Sequence, residues 1–329
     1  MSLRLARALL LASLAFVAAR PAIAAEPLIV DAVEYPWSAI GRVNAAGKSF
    51  CTGFLVGEQV VLTAAHCLYD FREGRWWPPV SVHFVAGYQR DTYLKHSRAK
   101  SYDVAGTYTP QAQPKLDQVL NDWAVITLAE PVGAEVGWLG MQALDPGLLE
   151  SLRAGQATAV QAGYRRDRAH VITLGINCPI PGLFGNGRGI LHSCDVVEGG
   201  SGSPLLVLAD GQVSVLGIHT IRAQKNGSDY AGALSASIFD PRNGKSPAVA
   251  AARNAGLALD RGTTRGSNGA APTRPTNTIG LLLERLGYGV NGERGARQAA
   301  IKAFQRQAGL PETGEASLSL IGPMIRALR

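Results

Sequence analysis

The chain has 329 residues, of which 47% are apolar and 17% charged, and a formal net charge of +7. That balance excludes a disordered or collagen-like chain, and the length accommodates two domains, or one large domain with an appendage. The only stretch apolar enough for a membrane lies at the extreme N-terminus, which excludes a polytopic membrane protein.

Residues 1–24 have the pattern of a cleaved secretory signal: Arg4 and Arg7, then an apolar run from Ala8 to Ala19, then Ala22-Ile23-Ala24. An uncleaved anchor helix would need about 20 apolar residues without a charge, and Arg20 interrupts the run. Cleavage is expected after Ala24, with Ala25 as the second choice. The mature protein is then secreted, to the periplasm or the cell wall, and has no membrane span.

Export places the four cysteines in an oxidising compartment. None belongs to a Cys-x-x-Cys pair, which argues against zinc, and no metal or cofactor is expected. Cys51 and Cys67 are sixteen apart, as are Cys178 and Cys194. Sequential pairing would close two short loops, each worth about 3 kcal/mol in the chain-entropy model. Three connectivities remain open on composition alone.

From about residue 28 to 239 the sequence runs in short β-rich segments, such as 59–62, 80–85, 123–128, 171–176, 205–208 and 213–218, separated by Gly, Pro, Asn and Asp. This pattern predicts an all-β sandwich or barrel. Residues 247–257 are the one helix expected here, with Ser246 as N-cap and Pro247 at the first helical position. Residues 260–276 turn to Gly, Thr, Arg, Ser, Asn and Pro and read as a flexible linker. Beyond it a helical period takes over. Ile279, Leu282, Leu283 and Leu286 form one set, Ala300, Ile301, Phe304 and Ala308 a second, and Ile321, Ile325 and Leu328 a third. Residues 277–329 are therefore a small three-helix bundle, and residues 25–259 the β domain.

Three stretches carry chemistry: Thr63-Ala64-Ala65-His66-Cys67 after a strand, Asp122 at the head of an alternating strand, and Gly199-Gly200-Ser201-Gly202-Ser203-Pro204 before another. A serine hydroxyl is a weak nucleophile at neutral pH and must pass its proton to a base as it attacks a carbonyl. His66 suits that task, and a buried Asp122 would fix its tautomer and stabilise its developing charge. The glycines around Ser201 let backbone amides converge, so the N–H groups of Gly199 and Ser201 are the candidate oxyanion hole.

These motifs, in the order His, Asp, Ser, resemble the trypsin-like (chymotrypsin-fold) serine endopeptidases over about residues 35–239. The Gly-x-Ser-Gly-Ser-Pro form of the serine motif is similar to the bacterial branch that includes the glutamyl endopeptidases. The resemblance implies two six-stranded antiparallel barrels, a catalytic triad of His66, Asp122 and Ser201 in the cleft between them, and protein or peptide substrates. It also implies a disulfide between Cys51 and Cys67, leaving Cys178 and Cys194 for the second bridge.

In two respects the chain departs from the animal members of the family. Gly200 stands where their zymogens carry the Asp that receives a freed Ile-Val-Gly-Gly terminus, and no such tetrapeptide is present. Protein beginning near Ala25 is therefore expected to be competent, or to need only a short propeptide removed. Specificity points two ways. Asp195 falls where trypsin-like enzymes hold the acid that selects Lys or Arg, whereas His219 resembles the histidine that binds a substrate carboxylate in glutamyl endopeptidases. Val196, in place of the usual Ser or Thr, weakens the second reading. His83, His96, His170 and His192 match no motif and are expected at surface or packing positions, and Trp76-Trp77-Pro78-Pro79 is expected to be a loop packed on the barrel.

The tail, through Leu281-Leu282-Leu283-Glu284-Arg285-Leu286-Gly287-Tyr288 and Phe304-Gln305-Arg306 followed by Gly309-Leu310-Pro311 and Gly314, resembles the small peptidoglycan-binding domain of bacterial wall enzymes. Peptidoglycan is therefore the expected partner, nucleic acid is not, and a monomer is expected. Charge agrees with this division: residues 26–240 carry 16 Lys and Arg against 20 Asp and Glu, and residues 241–329 carry 13 against 5. A basic tail suits an anionic wall. Two other classes stay in view, a noncatalytic wall-bound adhesin or scaffold on a protease fold and a peptidoglycan hydrolase.

Overall fold

The structure is a computed structural model that describes residues 27–111, 114–176, 178–194, 200–225, 228–243, 246–257, 274–290 and 294–329. The expected signal segment, Asp195, Gly199 and residues 260–273 of the expected linker lie outside the described residues.

The first half contributes β1 (Leu28–Val30), β2 (Ile40–Ala45), β3 (Ser49–Leu55), β4 (Val60–Thr63), the short β5 (Tyr69–Asp70) and β6 (Arg75–Trp76), β7 (Val82–Ala86), β8 (Lys95–Val104), helix α1 (Leu116–Val119) and β9 (Ala124–Leu128). Strands β2, β3, β4, β9, β8 and β7 close a six-stranded barrel in that order. Alternation explains the closure: Val43, Ala45, Val82, Phe84 and Ala86 are buried, while the residues between them face outward.

After α2 (Val132–Val136), β10 (Gly140–Met141) and α3 (Pro146–Arg153) come β11 (Thr158–Arg165), β12 (Arg168–Gly175), β13 (Gly182–Phe184), β14 (Gly189–His192), β15 (Pro204–Ala209), β16 (Gln212–Lys225) and β17 (Ser228–Ser235). Among the described residues these form one sheet in the order β1-β12-β11-β15-β16-β17-β14-β13, with β10 beside β16, and no closed second barrel of six. The sheet is lengthened at both edges, by β1 from the N-terminal segment and by the β13–β14 hairpin. Both disulfides form, Cys51–Cys67 and Cys178–Cys194.

Helix α4 (Pro247–Asn254) begins at Pro247 as expected, but the Ser246 hydroxyl donates to Ile238 O at 2.7 Å instead of capping the helix. The tail folds into α5 (Thr276–Arg285), α6 (Arg294–Gln307) and α7 (Leu318–Ala327). These helices bury Ile279, Leu282, Leu283, Ile301, Phe304, Ile321, Met324 and Ile325 in the same apolar cluster as the barrel core. Helix α7 lies on β11, β15 and β16, and α5 lies on β1.

Polar contacts fix this docking. The buried carboxylate of Glu34 accepts from Asn277 N at 2.6 Å, Thr278 N at 2.9 Å and Thr278 Oγ1 at 2.9 Å. Glu34 therefore caps α5, whose own N-cap position, Pro275, offers no side-chain acceptor. Trp37 Nε1 also donates to Thr278 Oγ1, at 3.0 Å. At the other end, Arg326 reaches Thr158 Oγ1 at 2.7 Å and Arg329 reaches Ala159 O at 2.9 Å. No helix of the described residues is long and apolar enough to cross a membrane.

Candidate active site

His66 sits on a single 3-10 turn, Ala65–Leu68, entered directly from β4. The turn presents its ring toward the loop that leads into β9, where Asp122 is buried at 5% exposure. Two hydrogen bonds join them: His66 Nδ1 lies 2.6 Å from Asp122 Oδ2, and His66 N donates to Asp122 Oδ1 at 2.9 Å. The carboxylate therefore holds both the ring and the backbone of the histidine. Burial by itself would lower the His66 pKa, but the Asp122 charge and hydrogen bond outweigh it and hold it above the ordinary 6.5.

Asp122 also has a neighbour that carries no sequence signal. Burial, with the nearby Asp122 carboxylate, pushes the Tyr108 phenol pKa up. Tyr108 packs on Trp76, which packs edge-on against Tyr69, while Trp77 is buried and accepts a hydrogen bond from Tyr102. The Trp76-Trp77-Pro78-Pro79 stretch is thus packed on the barrel, beside the histidine turn.

Ser201 lies in the turn before β15, and the turn is pinned from both the barrel and the sheet. Ser201 O accepts from Thr52 N of β3 at 2.9 Å. Gly202 N donates to His219 O at 2.7 Å, and His219 N donates to Ser203 O at 2.8 Å. The Ser203 hydroxyl turns back to Gly200 O at 2.5 Å and accepts from Gln161 Nε2 at 2.6 Å. Gly202 is required here: its φ is +78°, and a Cβ would stand 2.2 Å from both Thr52 O and Thr63 Oγ1, and 3.0 Å from Ala64 N. The serine turn is therefore packed onto Thr63-Ala64, two residues before His66.

His219, on β16, is buried, and its Nδ1 lies 3.3 Å from Nε2 of the fully buried His192 on β14. The two meet because β17 lies between their strands, pairing His192 with Ala231 and His219 with Ala233. Burial pushes the His192 pKa down to about 4 and that of His219 well below 6.5, helped in the second case by His192 and His66. Both rings are therefore neutral at physiological pH. The sulfurs of Cys51 and Cys67 lie close to the His66 ring, but they are bonded to each other, so this cluster offers no thiolate ligands for a metal.

The trypsin family profile matches residues 30–173. A curated relative, the glutamyl endopeptidase of Bacillus licheniformis, is 24% identical over 199 residues, covering 60% of this chain and 58% of that protein. The chain thus spans less than two thirds of that relative's length. A solved structure described as Glu endopeptidase in complex with MPD aligns with a TM-score of 0.48 and 20% identity, over 64% of this chain and 90% of the other. The trypsin match spans the whole of the closed six-stranded barrel, so this part of the chain is similar to the trypsin-like serine endopeptidases, and the curated relative it resembles is a glutamyl endopeptidase.

Proposed function

We propose that the protein is an exported endopeptidase that hydrolyses peptide bonds through Ser201, His66 and Asp122. The observation that carries this reading is the 2.6 Å contact between His66 Nδ1 and a buried Asp122, with the serine turn packed on the same strand end. Ser201 Oγ attacks the substrate carbonyl while His66 Nε2 takes its proton, and Asp122 stabilises the imidazolium that forms. The amides of Gly199 and Ser201 then receive the oxyanion. His66 returns the proton to the departing amine, and a water repeats the sequence to release the acyl group. Labelling by a fluorophosphonate, abolished in Ser201→Ala, tests the assignment. Its absence in the wild-type protein would favour a noncatalytic scaffold.

For specificity, the buried His219 supports an acidic preference. His192 Nδ1 has no hydrogen-bond partner. An orphaned acceptor is tolerated more readily than an orphaned N–H, so the proton of His192 belongs on Nε2 and is donated to His219 Nδ1. His219 then carries its own proton on Nε2, free to be donated to a substrate carboxylate. The relative's name, glutamyl endopeptidase, agrees with this. Asp195 would instead select Lys or Arg. A peptide-library cleavage profile decides between the two.

The basic tail supports a role at the cell wall, with peptidoglycan as its partner. Sacculus binding by the full chain should weaken as salt rises, since exposed charges are screened within about 10 Å at 0.1 M. Release of soluble muropeptides would instead indicate a wall hydrolase.

A further inference from the structure

The outer face of the N-terminal barrel carries a cavity of about 550 Å³ that no residue of the serine turn lines. Strand alternation builds it. Arg42 and Asn44 on β2, and His83 and Val85 on β7, are the residues that the buried positions between them force outward. Antiparallel register sets Asn44 beside His83, Arg42 beside Val85, and Val85 beside His96 of β8. The β2–β3 hairpin adds Lys48 and Phe50, and Tyr88 and Tyr93 complete the rim.

The chemistry of this lining is one-sided. The Arg42 guanidinium lies between the Phe50 ring at 4.2 Å and the Tyr88 ring at 5.1 Å. Its Nη1 donates to Ala169 O at 3.2 Å, but its Nε is buried and has no partner. His83 Nδ1 and His96 Nε2 stand 2.7 Å apart with their rings stacked, so the two imidazoles share one proton. Tyr93 meets the His96 ring edge-on. Among the described residues no carboxylate lines the cavity, although acids outnumber bases over residues 26–240. Cations held against aromatic walls in a concave surface concentrate positive potential, and they suit an anion attached to an apolar body. The cavity also lies close in sequence to the catalytic candidates. Phe50 precedes Cys51, whose bridge to Cys67 adjoins His66.

We propose that this cavity is a secondary binding site for an acidic segment of the polypeptide substrate, a Glu or Asp next to an aromatic or aliphatic residue, held apart from the bond that is cut. The proposal rests on the proteolytic reading above. The segment's carboxylate meets Arg42, Lys48 and the histidine pair, and its apolar neighbour lies along Phe50, Tyr88 and Tyr93. Engagement there raises the local concentration of the remaining chain at the cleft without altering the chemical step.

The test uses full-length Ser201→Ala protein and a fluorescein-labelled hexapeptide of alternating Glu and Tyr, with its Gln counterpart as control, followed by anisotropy. Saturable binding of the Glu peptide is expected, with binding of the Gln peptide much weaker. Arg42→Gln combined with Lys48→Gln should raise Kd about tenfold, the scale of two modest charge contacts. Because Arg42 also supports the fold, Lys48→Gln with His96→Gln, both exposed, serves as a second variant that should weaken binding in the same direction. In the Ser201 background, either pair should leave turnover of a short chromogenic substrate unchanged and raise KM for the same substrate extended by the acidic segment. Equal binding of both peptides, or an affinity unchanged in both double variants, as binding in the cleft alone would give, overturns the proposal. Intact peptide binding in a protein that cleaves nothing would refute proteolysis and leave the site standing.

Discussion

Replacing Glu34 by Ala should loosen the tail helices from the β domain without touching the candidate catalytic groups. The carboxylate accepts three hydrogen bonds at the first turn of α5, two of them from backbone N–H groups that have no intrahelical partner. Loss of such a cap costs about 0.5–2 kcal/mol, and leaving a buried N–H unsatisfied adds about 1–3 kcal/mol. Removing the desolvation cost of Glu34 itself offsets part of this. A net of about 3 kcal/mol against the docked state follows, equivalent to roughly a hundredfold rise in the open population. Amide hydrogen exchange read on peptides covering α5 should accelerate by that factor, while peptides from β4 and β9 keep their protection. Glu34→Gln retains an acceptor oxygen and should show a smaller acceleration. Unchanged exchange in α5 for Glu34→Ala would refute the view that this carboxylate holds the helix in place.

Other expectations follow from the site. Asp122→Asn should lower kcat by about 10⁴, and its pH profile should shift. In the wild type the base is protonated, and activity lost, as pH falls through a His66 pKa above 6.5; without the Asp122 charge, burial remains and moves that limb below 6.5. Gly202→Ala should destabilise the fold by roughly 1–3 kcal/mol and abolish fluorophosphonate labelling, because its Cβ meets Thr52 O and Thr63 Oγ1 at 2.2 Å; a labelled, stable variant would contradict the packing described. Replacing Cys51 and Cys67 together by Ser should cost about 3 kcal/mol in urea unfolding and reduce labelling of Ser201. Tyr108→Phe should lower kcat more than it raises KM, since the phenol is coupled to the Asp122 charge.

Much of this was legible in the residues because it is local. The turn that carries His66 follows its strand directly, the acid heads a short apolar strand that is buried on both faces, and the helices of the tail show their buried faces as a 3.6-residue period. What could not be read depends on register and on distant polar contacts. His192 looked unremarkable until β17 brought it beside His219. Tyr108 lies fourteen positions before Asp122 in a segment without periodicity, and its nearness to that carboxylate comes only with the fold. Glu34 resembled any loop acid, because a cap delivered from 244 positions away leaves no pattern in a window of sequence. The outward residues of β2, β7 and β8 alternate as surface positions do, and only pairing turns them into one cavity.

The pinning of α5 by Glu34 also links the two ends of the described chain. Strand β1 pairs with β12 a few residues before Glu34, and Arg329 reaches Ala159 on the neighbouring strand β11. Trimming at the amino end is therefore not independent of the carboxyl end. A cut upstream of Leu28 leaves the clasp intact, whereas one beyond Glu34 removes the acceptor that the first turn of α5 requires and sets the basic helices loose. The position of a single early cleavage would thus decide whether the protein works as one rigid unit or as a β domain with a detached arm.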